Sequence, residues 1–215
     1  MEGPMDTDVF LAWIAAAADA IAANRDRLTQ LDAAIGDADH GANLTRGFAA
    51  VTAALDGAVT ADAETNTPGA VLTLTGSTLI STVGGASGPL FGVAFRRAGK
   101  ALGGVPGVDL PALEGALEAA LAGVRQLGGA SEGDKTMVDA LAPAIRALGQ
   151  ARSAAPADAL AAMAAAAAAG AAATAAMQAR KGRASYLGPR SVGHEDPGAA
   201  STALILAALA EAVAR

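Results

Sequence analysis

Long runs of alanine, interrupted by larger apolar residues at helical spacing, are the feature that most constrains how this chain can fold. Alanine is the best helix former and a poor strand former. Hydrophobic residues make up 53% of the sequence but aromatic residues only 3%, so neighbouring helices can approach closely. In the first segment six apolar residues form one stripe at helical spacing: Phe10, Trp13, Ile14, Ala17, Ile21 and Leu28. These patterns predict an all-α protein.

Helical periodicity continues to the end of the chain, and no alternating pattern typical of a strand is found. We expect Thr7 or Asp8 to cap the first helix. Seven further helices are predicted, at about 43–56, 68–82, 88–103, 109–127, 135–149, 157–179 and 197–214. Pro89, Pro111 and Pro197 fall in first turns, where proline is tolerated. Because short connections favour antiparallel neighbours, the sequence predicts a single-domain antiparallel barrel or bundle of about eight helices.

Charge and composition argue against several kinds of partner. The chain has no cysteine, so a disulfide or a thiolate-bound zinc is excluded. Its formal charge is −6 without a basic stripe, which argues against nucleic acid or an anionic membrane surface. The uncharged stretch 159–177 is long enough to span a membrane but is nearly all alanine, with little of the Leu, Ile, Phe or Val that drives insertion. No secretory signal is visible, so we expect a cytoplasmic protein.

Polar residues gather in four stretches between the predicted helices, whereas the helices themselves carry little chemistry. The stretches occupy 31–43, 84–89, 128–136 and 179–199. In an antiparallel bundle every second loop lies at the same end. Polar stretches that are distant in sequence can therefore converge at one rim.

The first stretch carries Asp32, Asp37 and Asp39. Gly36 suits a left-handed helix stop, and Asp37 and Asp39, two apart in an extended segment, can point the same way. Three convergent carboxylates repel one another unless a cation lies among them, and hard oxygen ligands select Mg²⁺ or Ca²⁺. A calcium EF-hand fails on spacing, because Phe48 stands where the twelfth-position Glu is needed. The alternative is a solvated acidic turn that caps the next helix.

Two glycine-rich turns follow. GGASGP at 84–89 places Ser87 before a helix started by Pro89, so the turn is a candidate phosphate-binding site. The alternative is an ordinary turn without a ligand. GGASEGDKT at 128–136 resembles a Walker A loop, but Asp134 intrudes before the lysine and no strand precedes it. A P-loop is therefore rejected.

The last polar stretch is basic in an otherwise acidic chain. It carries Arg180, Lys181, Arg183 and Arg190, and guanidinium groups suit phosphate oxygens. A solvated loop is the alternative interpretation. Asp196 is a natural cap for the final helix. The two histidines, His40 and His194, lie in polar loops, where each could accept a phosphoryl group or make an ordinary hydrogen bond.

Five motifs taken together are long and unusual: GDADHG with an Asp five residues before its first Asp, GGASGPLFG, GDKTM, ARKGRASYLG and GHEDPGA. They closely resemble those of the nucleotide-binding L subunits of bacterial dihydroxyacetone kinases. The similarity runs from the first helix to the last. The resemblance implies that residues 1–215 form a single L-type nucleotide-binding domain, an eight-helix barrel with ADP at one rim.

The resemblance also assigns residues. It implies that Asp32, Asp37 and Asp39 hold two Mg²⁺ ions that bridge to the phosphates of ADP or ATP. The nucleotide contacts that it implies are His40, Gly41, Ala42, Asn43, Ala86, Ser87, Gly128, Met137, Arg183, Asp196, Pro197 and Gly198. No residue of this chain is expected to activate the carbonyl of the substrate.

Family members differ in their phosphoryl donor. In phosphotransferase-dependent members the domain is a separate chain that keeps ADP as a coenzyme. A phosphohistidine on an M subunit recharges the ADP, and the phosphoryl group passes to dihydroxyacetone on a K subunit. In ATP-dependent members the domain is fused to the dihydroxyacetone-binding domain. This chain stands alone, so we expect the first case.

Three alternatives stay open. The chain could be a stand-alone L-type domain that uses exchangeable ATP for dihydroxyacetone or another small ketose, such as a tetrose. It could be a nucleotide-bound regulatory module that controls a transcription factor. A metal phosphohydrolase ranks last, because the sequence supplies no distinct base or nucleophile. The sequence leaves the oligomeric state open, a homodimer included.

Overall fold

The computed structural model describes residues 4–59 and 66–214 and is dominated by α-helices. In the described ranges they are α1 Thr7–Ala23, α2 Arg25–Ile35, α3 His40–Val59, α4 Pro68–Thr82, α5 Ser87–Leu102, α6 Leu110–Gly128, α7 Val138–Gln150, α8 Pro156–Ala173 and α9 Pro197–Ala214. Two 3₁₀ segments, Thr174–Ala176 and Arg183–Ser191, separate α8 from α9. The predicted all-α class is confirmed.

Eight of these helices form a closed ring. Each of α1, α3, α4, α5, α6, α7, α8 and α9 packs against the next in that order, and α9 closes the ring on α1. The remaining helix, α2, lies against α3 and α9. Trp13 anchors the inside of the ring, since it packs near Phe10 and Phe95 and its Nε1 donates to the carbonyl of Ile205 at 2.8 Å. The predicted eight-helix barrel is thus present, with one helix added.

The added helix arises because the predicted first helix is broken. At Asn24 the chain bends by 62° between α1 and α2. Both the backbone N–H and the side-chain Nδ2 of Asn24 donate to the carbonyl of Ala20, so the side chain competes for the helical acceptor. The break turns α2 across one end of the ring.

The ends of α1 also differ from expectation. Its cap is Asp6, whose Oδ1 accepts from the Val9 N–H at 3.1 Å, so the prediction of Thr7 or Asp8 was wrong. Thr7 instead donates to the carbonyl of Asn66. Two strands of two residues, β1 Met5–Asp6 and β2 Gly107–Val108, pair antiparallel. They escaped prediction because two residues are too short to show an alternating pattern.

The helix predicted at 43–56 begins at His40, so His40 lies in the first turn of α3 and not in a loop. Two more helix bounds were misjudged in the region of the site. The helix predicted at 135–149 begins only at Val138, because residues 130–137 form turns. The helix predicted at 157–179 ends at Ala173 and continues only as a 3₁₀ turn. Both differences lengthen the irregular segments that surround the site.

Two helical stretches, Pro156–Ala176 and Pro197–Ala214, are long and apolar enough to cross a membrane by length and composition. Both are members of the ring, where α8 packs between α7 and α9. One face of α8 is buried: Ala159, Leu160, Met163, Ala167 and Ala171. The alanine surface of α8 therefore serves close packing between helices.

Candidate functional site

A cavity of about 340 Å³ opens at the end of the ring where the four polar stretches meet. Its walls come from the end of α2, the turns before α5 and α7, residues 181–184 and the start of α9. This volume lies in the range typical of small-molecule sites. The polar stretches converge as the antiparallel arrangement predicts.

The three aspartates converge at one edge of this cavity. One carboxylate oxygen from each of Asp32, Asp37 and Asp39 lies within 4.8 Å of the other two. Asp32 is 8% exposed, and its Oδ2 accepts the backbone N–H groups of Asp39 at 2.9 Å and His40 at 3.1 Å. Asp37 and Asp39 are exposed. The cluster therefore combines one carboxylate fixed by backbone donors with two that face solvent.

The backbone that builds this cluster differs from the prediction in two ways. Gly36 is not left-handed, since its φ is −142° and its ψ is −136°. It is required for space instead, because a Cβ there would lie 2.0 Å from Oδ1 of Asp32. The segment between Asp37 and Asp39 is not extended either: Ala38 has a φ of +63°, a conformation unusual for a residue other than glycine. The carboxylates converge through this kink rather than through strand periodicity.

His40 links the N-terminal parts of three helices, α3, α5 and α9, next to the aspartates. Its Nδ1 lies 3.0 Å from the Ser87 hydroxyl and its Nε2 lies 2.9 Å from the Ser201 hydroxyl. Burial lowers the pKa of His40, although the nearby charges of Asp32 and Asp39 oppose the shift. Ser201 donates its proton to the carbonyl of Pro197 or Gly198, so Nε2–H of a neutral His40 donates to Ser201.

This assignment leaves Nδ1 of His40 as an acceptor for the hydroxyl proton of Ser87. A phosphate at the turn before α5 would therefore meet backbone N–H groups rather than that hydroxyl proton. The α5 helix begins at Ser87, two residues before Pro89. Gly88 is needed there because a Cβ would lie 2.2 Å from the carbonyl of Val83.

The turn before α7 is organised by Asp139. Its carboxylate accepts the N–H of Gly133 at 2.5 Å and the N–H of Thr136 at 2.8 Å. Between them Lys135 has a φ of +61° and is 1% exposed, with its ammonium directed into the protein. No strand precedes the turn, which follows α6. The rejection of a P-loop is confirmed.

The far wall of the cavity carries Arg183 and Asp196. Nη2 of Arg183 lies 3.0 Å from Oδ2 of Asp37, and the Arg183 side chain is 69% exposed. Asp196 caps α9 as predicted, because its Oδ2 accepts the N–H of Ala199 at 2.7 Å. Burial raises the pKa of Asp196 to about 7, opposed by that N–H and by the charge of Lys135.

Nine of the twelve predicted nucleotide contacts line the cavity: His40, Ala86, Ser87, Gly128, Met137, Arg183, Asp196, Pro197 and Gly198. Gly41, Ala42 and Asn43 do not. Gly41 packs against α2, where a Cβ would lie 2.1 Å from the carbonyl of Arg25. Asn43 is buried and accepts from Arg46 Nη2 at 2.8 Å. Gly41 and Asn43 therefore lie behind the cavity lining.

Several residues of the site were not predicted. Asp139 follows Thr136 by three positions, a spacing at which a carboxylate can reach back to the N–H groups of a helix start, so a local signal existed. Ser201 and Thr174 lie inside apolar helical stretches without any such signal. The burial of Lys135 was also missed, because nothing adjacent in sequence indicates that its partners lie beyond residue 170.

Comparisons with known proteins agree with this architecture. Residues 34–211 match the family described as DAK2 domain, and the chain belongs to this family. It is 43% identical over 200 residues to the PEP-dependent dihydroxyacetone kinase, ADP-binding subunit DhaL, of Escherichia coli strain K12, over 92% of this chain and 93% of that protein. It is 39% identical over 192 residues to L-erythrulose 1-kinase of Mycolicibacterium smegmatis, over 89% of this chain but 33% of that protein.

The fold is also similar to solved structures. The crystal structure of the dihydroxyacetone kinase from C. freundii in complex with AMP-PNP and Mg²⁺ matches with a TM-score of 0.71 at 28% identity. The match covers 98% of this chain and 35% of that chain. The chain thus spans about a third of the solved kinase but nearly the whole of the E. coli subunit. The predicted resemblance and the enzyme class, a phosphotransferase, are confirmed, because these relatives are kinases or kinase subunits.

Proposed function

We propose that this chain is the nucleotide-carrying subunit of a PEP-dependent dihydroxyacetone kinase, with ADP kept bound as a coenzyme. The observation that carries the proposal is the convergence of three carboxylates, two helix N-termini and Arg183 around one cavity. The 43% identity to the E. coli ADP-binding subunit, over 92% of this chain and 93% of that protein, supports it.

The aspartate cluster fits a hard divalent cation. Its donors are all carboxylate oxygens, and the oxygens of Asp37 and Asp39 remain accessible while Asp32 is held by two N–H groups. Asp32, Asp37 and Asp39 would hold two Mg²⁺ ions, the number that the resemblance implies. When bound, Mg²⁺ neutralises phosphate charge and acts as a Lewis acid.

The chain's own groups would orient the phosphates. The N-terminus of α5 at Ser87 and that of α9 at Pro197 both border the cavity, and a helix N-terminus favours an anion through its N–H groups and its dipole. Arg183 adds a guanidinium that now pairs with Asp37. These groups offset the net charge of −6, which by itself would repel a nucleotide.

The opposite part of the cavity is apolar and suits the adenosine. Leu90, Phe91, Val124 and Met137 contribute to its lining beside Gly128. Such a surface can pack against the faces of a base. Met137 lines this side of the cavity and would lie against the adenosine, as the resemblance implies. Gly41 and Asn43 act in this proposal only as supports of the wall, and the nucleotide contact at Ala42 stays a prediction.

The reaction would pass through the nucleotide and not through His40. Both ring nitrogens of the buried His40 are engaged by serine hydroxyls, so neither is available as a phosphoryl acceptor. A phosphohistidine of the M subunit would convert the bound ADP to ATP. The phosphoryl group would then pass to dihydroxyacetone held on the K subunit.

We place the protein in the cytoplasm, with neither nucleic acid nor membrane as a partner.

The test begins with the purified full-length chain. We expect ADP to stay bound to the protein through gel filtration in magnesium buffer. Denaturation of the protein should then release this ADP, and mass spectrometry should detect it. Phosphorylated M subunit should convert this ADP to ATP, whereas free ATP should not displace it. Asp39→Ala should lose the nucleotide, and the matched control Asp19→Ala, at an exposed aspartate of α1, should keep it. Absence of any affinity for adenine nucleotides by calorimetry would refute the proposal.

A second candidate is a domain that uses exchangeable ATP to phosphorylate another ketose. The similarity to L-erythrulose 1-kinase and, at 36% identity, to D-erythrulose kinase of Mycolicibacterium smegmatis favours it. Rapid exchange of bound ADP with labelled ATP, together with phosphoryl transfer to erythrulose, would select this candidate. Retained ADP without transfer to any ketose, even with K and M subunits present, would instead indicate a regulatory module.

A further inference from the structure

Residues 177–196 form a segment that we call the closing loop. It runs from the 3₁₀ turn after α8 to the cap of α9, and residues 181–184 and 196 line the cavity. Half of its residues are exposed, Tyr186 to 88%, and only Ala179 and Ser191 are buried. Its own apolar packing is therefore slight, although it carries Arg183 at the mouth of the cavity and ends at the cap of α9.

Lys135 holds both ends of the closing loop. Its Nζ donates to the carbonyls of Thr174 at 2.9 Å and Met177 at 3.2 Å, where the loop begins. It also donates to the carbonyls of Ser191 at 2.8 Å and His194, where the loop ends. An ammonium has three hydrogens, so the four carbonyls share them around a single point charge. One side chain thus fixes both ends of a twenty-residue segment relative to α7.

The neighbouring hydrogen bonds prepare this arrangement. The carboxylate of Asp139 holds the turn in which Lys135 lies. The N–H of Arg180 donates to the carbonyl of Asp134, next to Lys135. At the far end of the loop the N–H of Asp196 donates to the Thr174 hydroxyl at 2.9 Å. The loop is therefore attached to the turns before α7 and after α8 at defined points near its ends, while its 3₁₀ segment Arg183–Ser191 also lies against α2.

Holding a loop with a buried ammonium costs desolvation free energy. Desolvation disfavours its charged form and lowers the pKa of Lys135, against the charge of Asp196. Apolar residues could fill the same volume without that penalty. What an ammonium adds is directional binding of several carbonyls at once, which fixes the loop ends in position.

We propose that Lys135 is a positioning residue for nucleotide retention: by binding both ends of the closing loop, it places Arg183 and the N-terminus of α9 against the cavity. Lys135 acts through the loop and not through contact of its own charge with phosphate, because its Nζ is occupied by carbonyls. The identity of the ligand rests on the proposed function. The placement of the loop does not, and it can be measured without any ligand.

Limited digestion by trypsin measures that placement directly. The closing loop contains cleavage sites at Arg180, Lys181, Arg183 and Arg190, and Lys135→Met removes none of them. In the nucleotide-free, full-length protein we expect cleavage in the loop to accelerate about tenfold in Lys135→Met, because local opening becomes easier. Lys100→Met, at an exposed lysine of α5, is the matched control and should cleave like the wild type. Equal cleavage rates in all three proteins would overturn the proposal.

A double-mutant cycle separates positioning from general destabilisation. By calorimetry with ADP and Mg²⁺, Lys135→Met should weaken affinity about tenfold, the equivalent of one charge-assisted hydrogen bond. In an Arg183→Met background the same change should cost less, about threefold, since one of the two groups being placed is absent. Additive losses would contradict action through Arg183.

Two further results keep the outcomes distinct. If Lys135→Met does not fold, Lys135→Arg replaces it in the trypsin and calorimetry experiments. A planar guanidinium keeps the charge but cannot donate to four carbonyls around one point. If the wild type does not bind ADP, the proposed function fails, while accelerated cleavage in the variant would still support the role of Lys135 in placing the loop.

Discussion

The two segments that face each other across the cavity are built in opposite ways. The acidic turn, residues 36–39, is held by Asp32, whose carboxylate accepts N–H groups only seven and eight positions away. The closing loop is held by Lys135, whose four acceptors lie 39 to 59 positions away. In the acidic turn the chemical groups face solvent. Both supporting side chains are buried, Asp32 at 8% and Lys135 at 1% exposure, but only Asp32 lies close in sequence to the segment that it holds.

This difference teaches where function can be read from a sequence. A short segment closes its own hydrogen bonds at little cost in chain entropy, so its motif contains both the reactive groups and their supports. A long loop must be held by distant partners. Its motif contains only the groups at the surface of the loop. The residue that holds the loop, here Lys135, lies in a distant part of the sequence.

The largest expected effect comes from breaking the acidic turn. Asp32→Ala removes a proposed metal ligand and also the acceptor for the N–H groups of Asp39 and His40. We expect Mg²⁺-dependent nucleotide affinity to fall more than about 100-fold, beyond the loss typical of an outer partner of a metal ligand. Calorimetry with ADP measures it, and Asp19→Ala serves as the control. An affinity within threefold of wild type would exclude Asp32 from the site.

A second test concerns Asp196, at the end of the closing loop, and how the free energy of unfolding depends on pH. Asp196 faces Lys135 and Asp139, and its pKa in the folded protein is about 7 against an ordinary value of 3.8. The folded state therefore binds the proton more tightly, so the extra stability is present at low pH and is lost as pH rises through 7. Between pH 5 and 7 the free energy of unfolding should fall by about 2 kcal/mol from this group.

Urea unfolding of the nucleotide-free protein in chelator, compared between wild type and Asp196→Asn, isolates that contribution. Asparagine can still cap α9, so the variant should fold. Its stability should vary less with pH than that of the wild type over the same interval. Parallel pH profiles for the two proteins would show that Asp196 does not titrate as described.

A smaller effect is expected where the two segments meet. Arg183→Met removes the ion pair with Asp37 across the mouth of the cavity. We expect ADP to bind about tenfold more weakly, because one charge-assisted hydrogen bond to phosphate is lost. Stability should hardly change, since both side chains are substantially exposed. Nucleotide release measured by stopped-flow checks the prediction; an unaltered release rate would remove Arg183 from the phosphate site.

The smallest effect is expected at the surface of the closing loop. Glu195 pairs with Arg27 of α2 at 2.8 Å, and the arginine is half exposed. Glu195→Gln should lower stability by less than about 1 kcal/mol and leave cleavage of the loop by trypsin unchanged. If this variant opened the loop as much as Lys135→Met, the surface ion pair and not the buried lysine would be the support.

Much of the fold followed from the periodicity of apolar residues. The start of α4, the bounds of α9 and the approximate extents of α5 and α6 agree with it, because amphipathic spacing and proline positions are local signals. The break at Asn24 did not follow, since it depends on a side-chain hydrogen bond that competes with the helix. The late start of α7 did not follow either, since the turn before it is set by a carboxylate and by a lysine with distant partners.

The candidate site divides in the same way. Asp32, Asp37 and Asp39 were identified as a cluster, although the reason given for their convergence was wrong: Ala38 is left-handed and Gly36 is not. His40 was placed at the site, but its neutral state and its two serine partners depend on α5 and α9. Ser201 lies in an apolar helical stretch, where the sequence pattern indicates only packing.

By itself, the sequence determined that the chain is helical, that its polar groups meet at one end, and that a trio of carboxylates lies among them. These properties depend on residue type and on spacing within a few turns of helix. Only the tertiary structure decided which groups are free to act and which are supports. Lys135, His40 and Asp139 are polar residues whose roles arise from burial, and burial is a property of the packed ring that no short stretch of sequence contains.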